Sequence, residues 1–126
     1  MFTFTKLSSD GNQAIGELTL EGKTYSAVSG GHGRGELPEG TYRVDVRGAV
    51  EGGHLGAAFK AGGVGFFIPI EHISDSTRTG LGIHPDGNVP GTEGCIGVSA
   101  TDSRRFLNAW KAMSIAKRPS TLTVIG

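Results

Sequence analysis

Two residues of this chain carry side chains suited to nucleophilic chemistry at a spacing that lets them meet. They are His84 and Cys95, the single cysteine, with ten residues between them. A thiol attacks a carbonyl as its thiolate, and an imidazole titrating near neutral pH can take the proton. The intervening segment contains Pro85, Gly87, Pro90, Gly91 and Gly94, enough turn formers to fold it back on itself. Gly94 lets a ligand come close to the backbone, and the amides around Gly94 and Cys95 are candidates for holding an oxyanion. Asp86 is placed either to orient the imidazole, as the third member of a triad does, or to make an Asx turn in "PDGN". The same residues also fit a packed turn with an inert buried thiol, and spacing does not separate the two readings. A metal site would need three or four ligands where only His84, Asp86 and Cys95 cluster, so no metal and no cofactor are expected.

The elements that must position this pair are mostly strands. "FTFTKL", "AIGELTLEG" and "KTYSAVSG" alternate apolar and polar residues between turn-forming segments and predict an antiparallel meander. "TYRVDVRG" alternates Tyr42, Val44 and Val46 with Arg43, Asp45 and Arg47, a strand with one buried face. "AVEGGHLGAAFKAGG" has no clean period and reads as a long loop, and "VGFFIPIEHI" reads as a central strand ending near Pro69. "LGIH" and "CIGV" are short strands that present His84 and Cys95 where strand meets loop. The convincing helix is 101–113, with Thr101 or Asp102 as cap and Phe106, Leu107, Trp110 and Met113 on one face. "TLTVIG" closes the chain as a strand. The fold class is therefore mainly β with one packed helix near the C-terminus.

A length of 126 residues suits one domain, and 22 glycines favour turns and sheets over helical bundles. Twelve basic and twelve acidic residues cancel without any basic run, which argues against a nucleic-acid partner. The N-terminal "MFTFTKLSSDGNQ" lacks the basic start and apolar core of a signal peptide, and no apolar run approaches a membrane span. The expectation is a monomer made in the cytoplasm with no membrane partner. One cysteine cannot form an intramolecular disulfide. His32 and His72 are further imidazoles whose positions in a loop and at a strand end fit structural or exposed roles.

"IHPDGNVPGTEGCIGV", preceded by "ELPEGTYRV", resembles the L,D-transpeptidase catalytic (YkuD-like) superfamily, especially its short bacterial variants that include type VI secretion effectors. In that family a Thr-Pro-x-Gly-x-aromatic turn precedes a strand, and Leu37 to Tyr42 is similar, with Leu37 in place of the threonine. The later motif is a histidine followed, after a loop, by Ser/Thr-His-Gly-Cys, and here His84 leads to Thr92-Glu93-Gly94-Cys95. The resemblance implies β-sandwich or barrel-like sheets, Cys95 as nucleophile, His84 as base and the Gly94–Cys95 backbone as oxyanion site. It implies a peptidoglycan stem peptide as substrate, attacked at the L-centre of diaminopimelate with loss of the terminal D-alanine. Glu93 stands where the larger family has a histidine, and Gly97 where it usually has an arginine. Arg78, Arg34 or Arg43 is then the replacement carboxylate anchor, and Arg78, Thr92 and Glu93 are the substrate-binding candidates. Such a substrate implies export to a periplasm, its own or that of a target cell, with a secretion apparatus or an immunity protein as possible partners. A non-catalytic wall-binding or structural module on the same scaffold is the alternative. Papain-like endopeptidases place cysteine before histidine, the reverse of the order here.

Overall fold

The computed structural model describes residues 2–30, 35–52, 60–61, 63–73, 80–86 and 95–126. Period-two alternation produces three long strands at once, β1 (Phe2–Ser9), β2 (Gln13–Leu20) and β3 (Lys23–Gly30), paired antiparallel as the meander that the pattern predicts. The further strands are β4 (Gly40–Val44), β5 (Val50–Glu51), β6 (Lys60–Ala61), β7 (Val64–His72), β8 (Gly82–Pro85), β9 (Ile96–Val98) and β10 (Thr121–Ile125). Neighbours run β4-β10-β1-β2-β3-β9-β8-β7, and a β4–β7 pairing closes this path into an eight-membered, barrel-like ring. β5 and β6 add to β7. The architecture is mainly β with one α-helix, α1 (Ala100–Ala112), near the C-terminus.

A ring of eight strands has an interior that side chains can fill, and the inward positions do so with Phe4, Leu18, Leu20, Tyr42, Phe66, Ile68, Ile83, Ile96 and Leu122, all essentially inaccessible to solvent. α1 supplies Phe106 and Trp110 from one face. Phe106 meets Tyr25 edge-on at 5.3 Å and lies against Phe66 at 5.5 Å and Phe2 at 6.4 Å. Leu107 and Met113, expected on the same stripe, are only partly buried against this cluster.

Four expectations are corrected in detail. The helix begins one residue earlier than predicted, and its N-cap position is Ser99, with Thr101 and Asp102 inside the first turn. Asp102 serves there in another way, accepting the Ser26 backbone N–H at 2.8 Å and so tying the helix to β3. The strand over Tyr42 and Val44 stops at Val44, because the Asp45 carboxylate accepts the Gly48 N–H at 2.9 Å and turns the chain before Val46. The expected long loop contributes β5 and β6, while 53–59 and 62 lie outside the described residues. β7 does not end at Pro69 but continues to His72. Ile70 donates to Leu81 on the β8 side, whereas the Pro69 carbonyl accepts from Asp45 on the other side. The N–H that proline lacks would thus face the corner between β4 and β5, where the ladder is interrupted anyway.

The turn before β4 has a structural task. Gly40 has φ +139°, and a Cβ there would strike the His72 imidazole, which in turn meets the Tyr42 ring edge-on at 4.8 Å. The Tyr42 hydroxyl donates to the Pro38 carbonyl at 2.6 Å. His72 is therefore part of the β4–β7 closure. Replacing Phe106 with Ala should remove the side chain shared by helix and barrel and cost about 3–5 kcal/mol, read as a lower denaturant midpoint at unchanged m-value.

Candidate functional site

β8 and β9 lie side by side and parallel, with Ile83 opposite Ile96, His84 opposite Gly97 and Pro85 opposite Val98. Ile83, Ile96 and Val98 point into the barrel, so alternation turns His84 and Gly97 to the outer face. Cys95 stands in a bend one residue before β9 and is buried with the apolar cluster. Continued by one residue, the register sets Cys95 beside Gly82 and so diagonal to His84, with a separation of roughly 7–8 Å between Cα atoms.

Both faces of β8 and β9 are buried. His84 is 5% exposed and Cys95 9%. The His84 Nδ1 lies 2.7 Å from the Pro85 carbonyl oxygen. A carbonyl only accepts, so Nδ1 carries the proton and Nε2 the lone pair. Burial holds the His84 pKa below its ordinary value near 6.5, and the bond to Pro85 opposes this only in part. The imidazole is therefore neutral at pH 7, fit to act as a base through Nε2. The Cys95 thiol lies 3.8 Å from the Gly80 carbonyl oxygen, within the long range allowed to sulfur donors.

The outer row through His84 is apolar. Successive cross-strand positions are Val50, Phe67, His84, Gly97, Val28 and Ile15. Phe67 stacks on the imidazole with centroids 6.1 Å apart and ring planes 14° from parallel. On the other flank, segment 35–37 is drawn against the end of β3. The Leu37 N–H donates to the buried Ser29 hydroxyl at 3.0 Å, and Glu36 pairs with Lys6 at 2.6 Å. Burial would raise the Glu36 pKa, but Lys6 and Ser9 outweigh it and hold the carboxyl below its usual range.

Of the residues singled out from sequence, His84 and Cys95 come together as diagonal neighbours. Asp86 follows at the end of β8, with its backbone N–H on the Val98 carbonyl at 2.7 Å, while the partner of His84 Nδ1 is the Pro85 carbonyl. Arg78, Thr92, Glu93 and Gly94, together with His32 and Arg34, lie outside the described residues. Arg43 stands opposite Glu71 on β7, four residues or about 13 Å along the strand from Phe67. The site also uses two groups that sequence reasoning passed over. A backbone carbonyl such as that of Pro85 has no side-chain signature. Phe67 had one, since consecutive Phe66 and Phe67 break the alternation and imply cover on both faces of β7.

Comparison with protein-family models, curated proteins and solved structures gives no match. Among the described residues no group of three or more His, Cys, Asp or Glu is placed to hold a metal ion, and no helix is long and apolar enough to cross a membrane.

The depressed pKa of His84 has a thermodynamic consequence. Between the ordinary value of 6.5 and the lower folded one, the unfolded chain binds a proton that the native state does not, so stability is full above that window and falls as pH drops through it. Asp10 and Glu36, also lowered, act only below their own ordinary values of 3.8 and 4.5. Thermal midpoints should fall from pH 7 to pH 5 with a slope of at most about 1.4 kcal/mol per pH unit for this one proton. His84→Gln should flatten the curve, and an unchanged slope would contradict the burial argument.

Proposed function

We propose that the protein is a cysteine acyltransferase of the L,D-transpeptidase or L,D-carboxypeptidase type, acting on peptidoglycan stem peptides with Cys95 as nucleophile and His84 as base. The observation that carries this reading is the β8–β9 register. It brings the strand that carries a neutral imidazole, Nδ1 protonated, alongside the strand that the single cysteine immediately precedes, which supports a pairing of the two. The resemblance of the His84-to-Cys95 segment to the L,D-transpeptidase pattern supplies the substrate class.

In the proposed reaction, Nε2 of His84 takes the Cys95 thiol proton and the thiolate attacks the carbonyl at the L-centre of diaminopimelate. Backbone N–H groups at Gly94 and Cys95 stabilise the resulting oxyanion. The C–N bond to the terminal D-alanine then breaks, the imidazolium returns its proton to the departing amine, and a thioester remains on Sγ. An amine or water attacks that thioester, gives a proton to Nε2 and frees Cys95. The amine route is transpeptidation, and the water route is carboxypeptidation. The Pro85 carbonyl contributes by accepting from Nδ1–H throughout, which stabilises the transient imidazolium. Such a substrate places the working protein in a periplasm.

A second reading, a wall-binding module without chemistry, draws on the burial of Cys95 and on its thiol lying by the Gly80 carbonyl. The two are separated by incubation with a tetrapeptide muropeptide followed by mass spectrometry. The enzyme reading expects a tripeptide acyl adduct on Cys95, absent from Cys95→Ala, and a loss of about 10²-fold or more in turnover for His84→Gln. Muropeptide binding that survives Cys95→Ala, with no adduct or Cys95-dependent product from the unaltered chain, would establish the binding module instead.

A further inference from the structure

The outer face of β7 carries a large aromatic side chain that the barrel core does not need. Phe66 already fills the interior at this level, and Phe67, the next residue, points the other way. The antiparallel register of β7 with β8, Ile68 opposite Ile83 and Pro69 opposite Gly82, puts Phe67 across from His84. The two rings are stacked. The Phe67 ring also occupies the space above Gly82, where an added Cβ would fall inside the ring against Cζ, Cε1 and Cε2. Glycine at position 82 is thus the condition for Phe67 to lie where it does.

An imidazole on a strand has two torsions to fix. The Nδ1–H bond to Pro85 pins one edge but leaves rotation about the hydrogen-bond axis. A stacked ring fixes the plane but leaves sliding within it. Acting together, the two determine both the plane of the ring and the direction of Nε2. We infer that Phe67 is a positioning residue for His84, seated in the space left by Gly82 and, together with the Pro85 carbonyl, clamping the plane of the imidazole and the direction of Nε2.

This rests on the reading of His84 as the base of Cys95. Phe67 acts through the imidazole, not on substrate, and it also keeps water from one face of the ring. Among the described residues, the charged groups on the strands packed around His84 include Asp86, at the end of its own strand, Glu71 on β7, Glu51 on β5 opposite Phe66, and Lys60 on β6, whose side chain lies over Gly65 two residues from Phe67. β9 and β3 bring Gly97 and Val28 to this row.

NMR titration of the His84 ring in the full chain tests the clamp directly. Phe67→Ala and Gly82→Ala remove or displace the ring from opposite sides, so the measurement does not depend on one variant folding. In both, the imidazole should titrate closer to the ordinary 6.5. The pH profile of Cys95 alkylation should shift with it, and kcat on the muropeptide should fall about tenfold or more with KM within about twofold. Phe67→Tyr keeps the planar ring and should restore the titration and the rate. A folded Phe67→Ala or Gly82→Ala chain in which His84 titrates as in the unaltered protein would overturn the clamp. Failure of the acyl-transfer reading looks different: no Cys95-dependent product from the unaltered chain, while the His84 titration still shifts in both variants.

Discussion

The parallel register of β8 with β9 is the constraint on which the site depends. Side chains alternate with a period of two, so a slip of one residue between these strands would send either His84 or Gly97 into the barrel and bring Ile83 or Ile96 out. The register is held from both flanks. β7 fixes β8 through the Ile68–Ile83 pair, and β3 fixes β9 through Ser29–Ile96 and Ala27–Val98. Each of these pairs keeps apolar or satisfied groups inside the core, so a slip would bury the wrong face on three strands at once. The ring closure between β4 and β7, with Tyr42, His72 and Gly40 packed at its end, in turn keeps β7 from acting as a free edge.

Electrostatics at the site follow from where this register leaves the imidazole. Both faces of β8 are covered, so the charged form of His84 loses water that the Pro85 carbonyl only partly replaces. The imidazole is therefore neutral near pH 7, its Nδ1–H held by that carbonyl.

Much of the wall was legible because half-buried strands leave a period-two signature. The meander of β1 to β3 and the helix carrying Phe106 and Trp110 follow from pattern alone. What pattern does not carry is pairing between segments distant in sequence. Nothing in "TLTVIG" states that β10 lies parallel to β1 and antiparallel to β4, or in "TYRVDVRG" that β4 meets β7. Pro69 misled because a missing N–H matters only on the side where a ladder needs it. Thr101 and Asp102 misled because Ser99, ahead of both, holds the cap position. At the site, residue type was informative for His84 and Cys95, whose chemistry is local. It was silent on the Pro85 carbonyl, and Phe67 acquires its meaning only through a cross-strand neighbour.

Gly97 is the position where this chain departs from the transpeptidase pattern and where the fold gives the departure a physical sense. It lies directly opposite His84, in a row whose other described members, Val50, Phe67, Val28 and Ile15, carry no charge. An arginine at that point would set a permanent cation beside an imidazole whose pKa burial has already lowered, and the two effects would add. With glycine there, the strand beside His84 brings no charge to the imidazole, which keeps as much basicity as its burial allows. Within this chain, the absence of an arginine at residue 97 and the strong burial of His84 are therefore compatible features, since a cation so close to a buried imidazole would lower its pKa further.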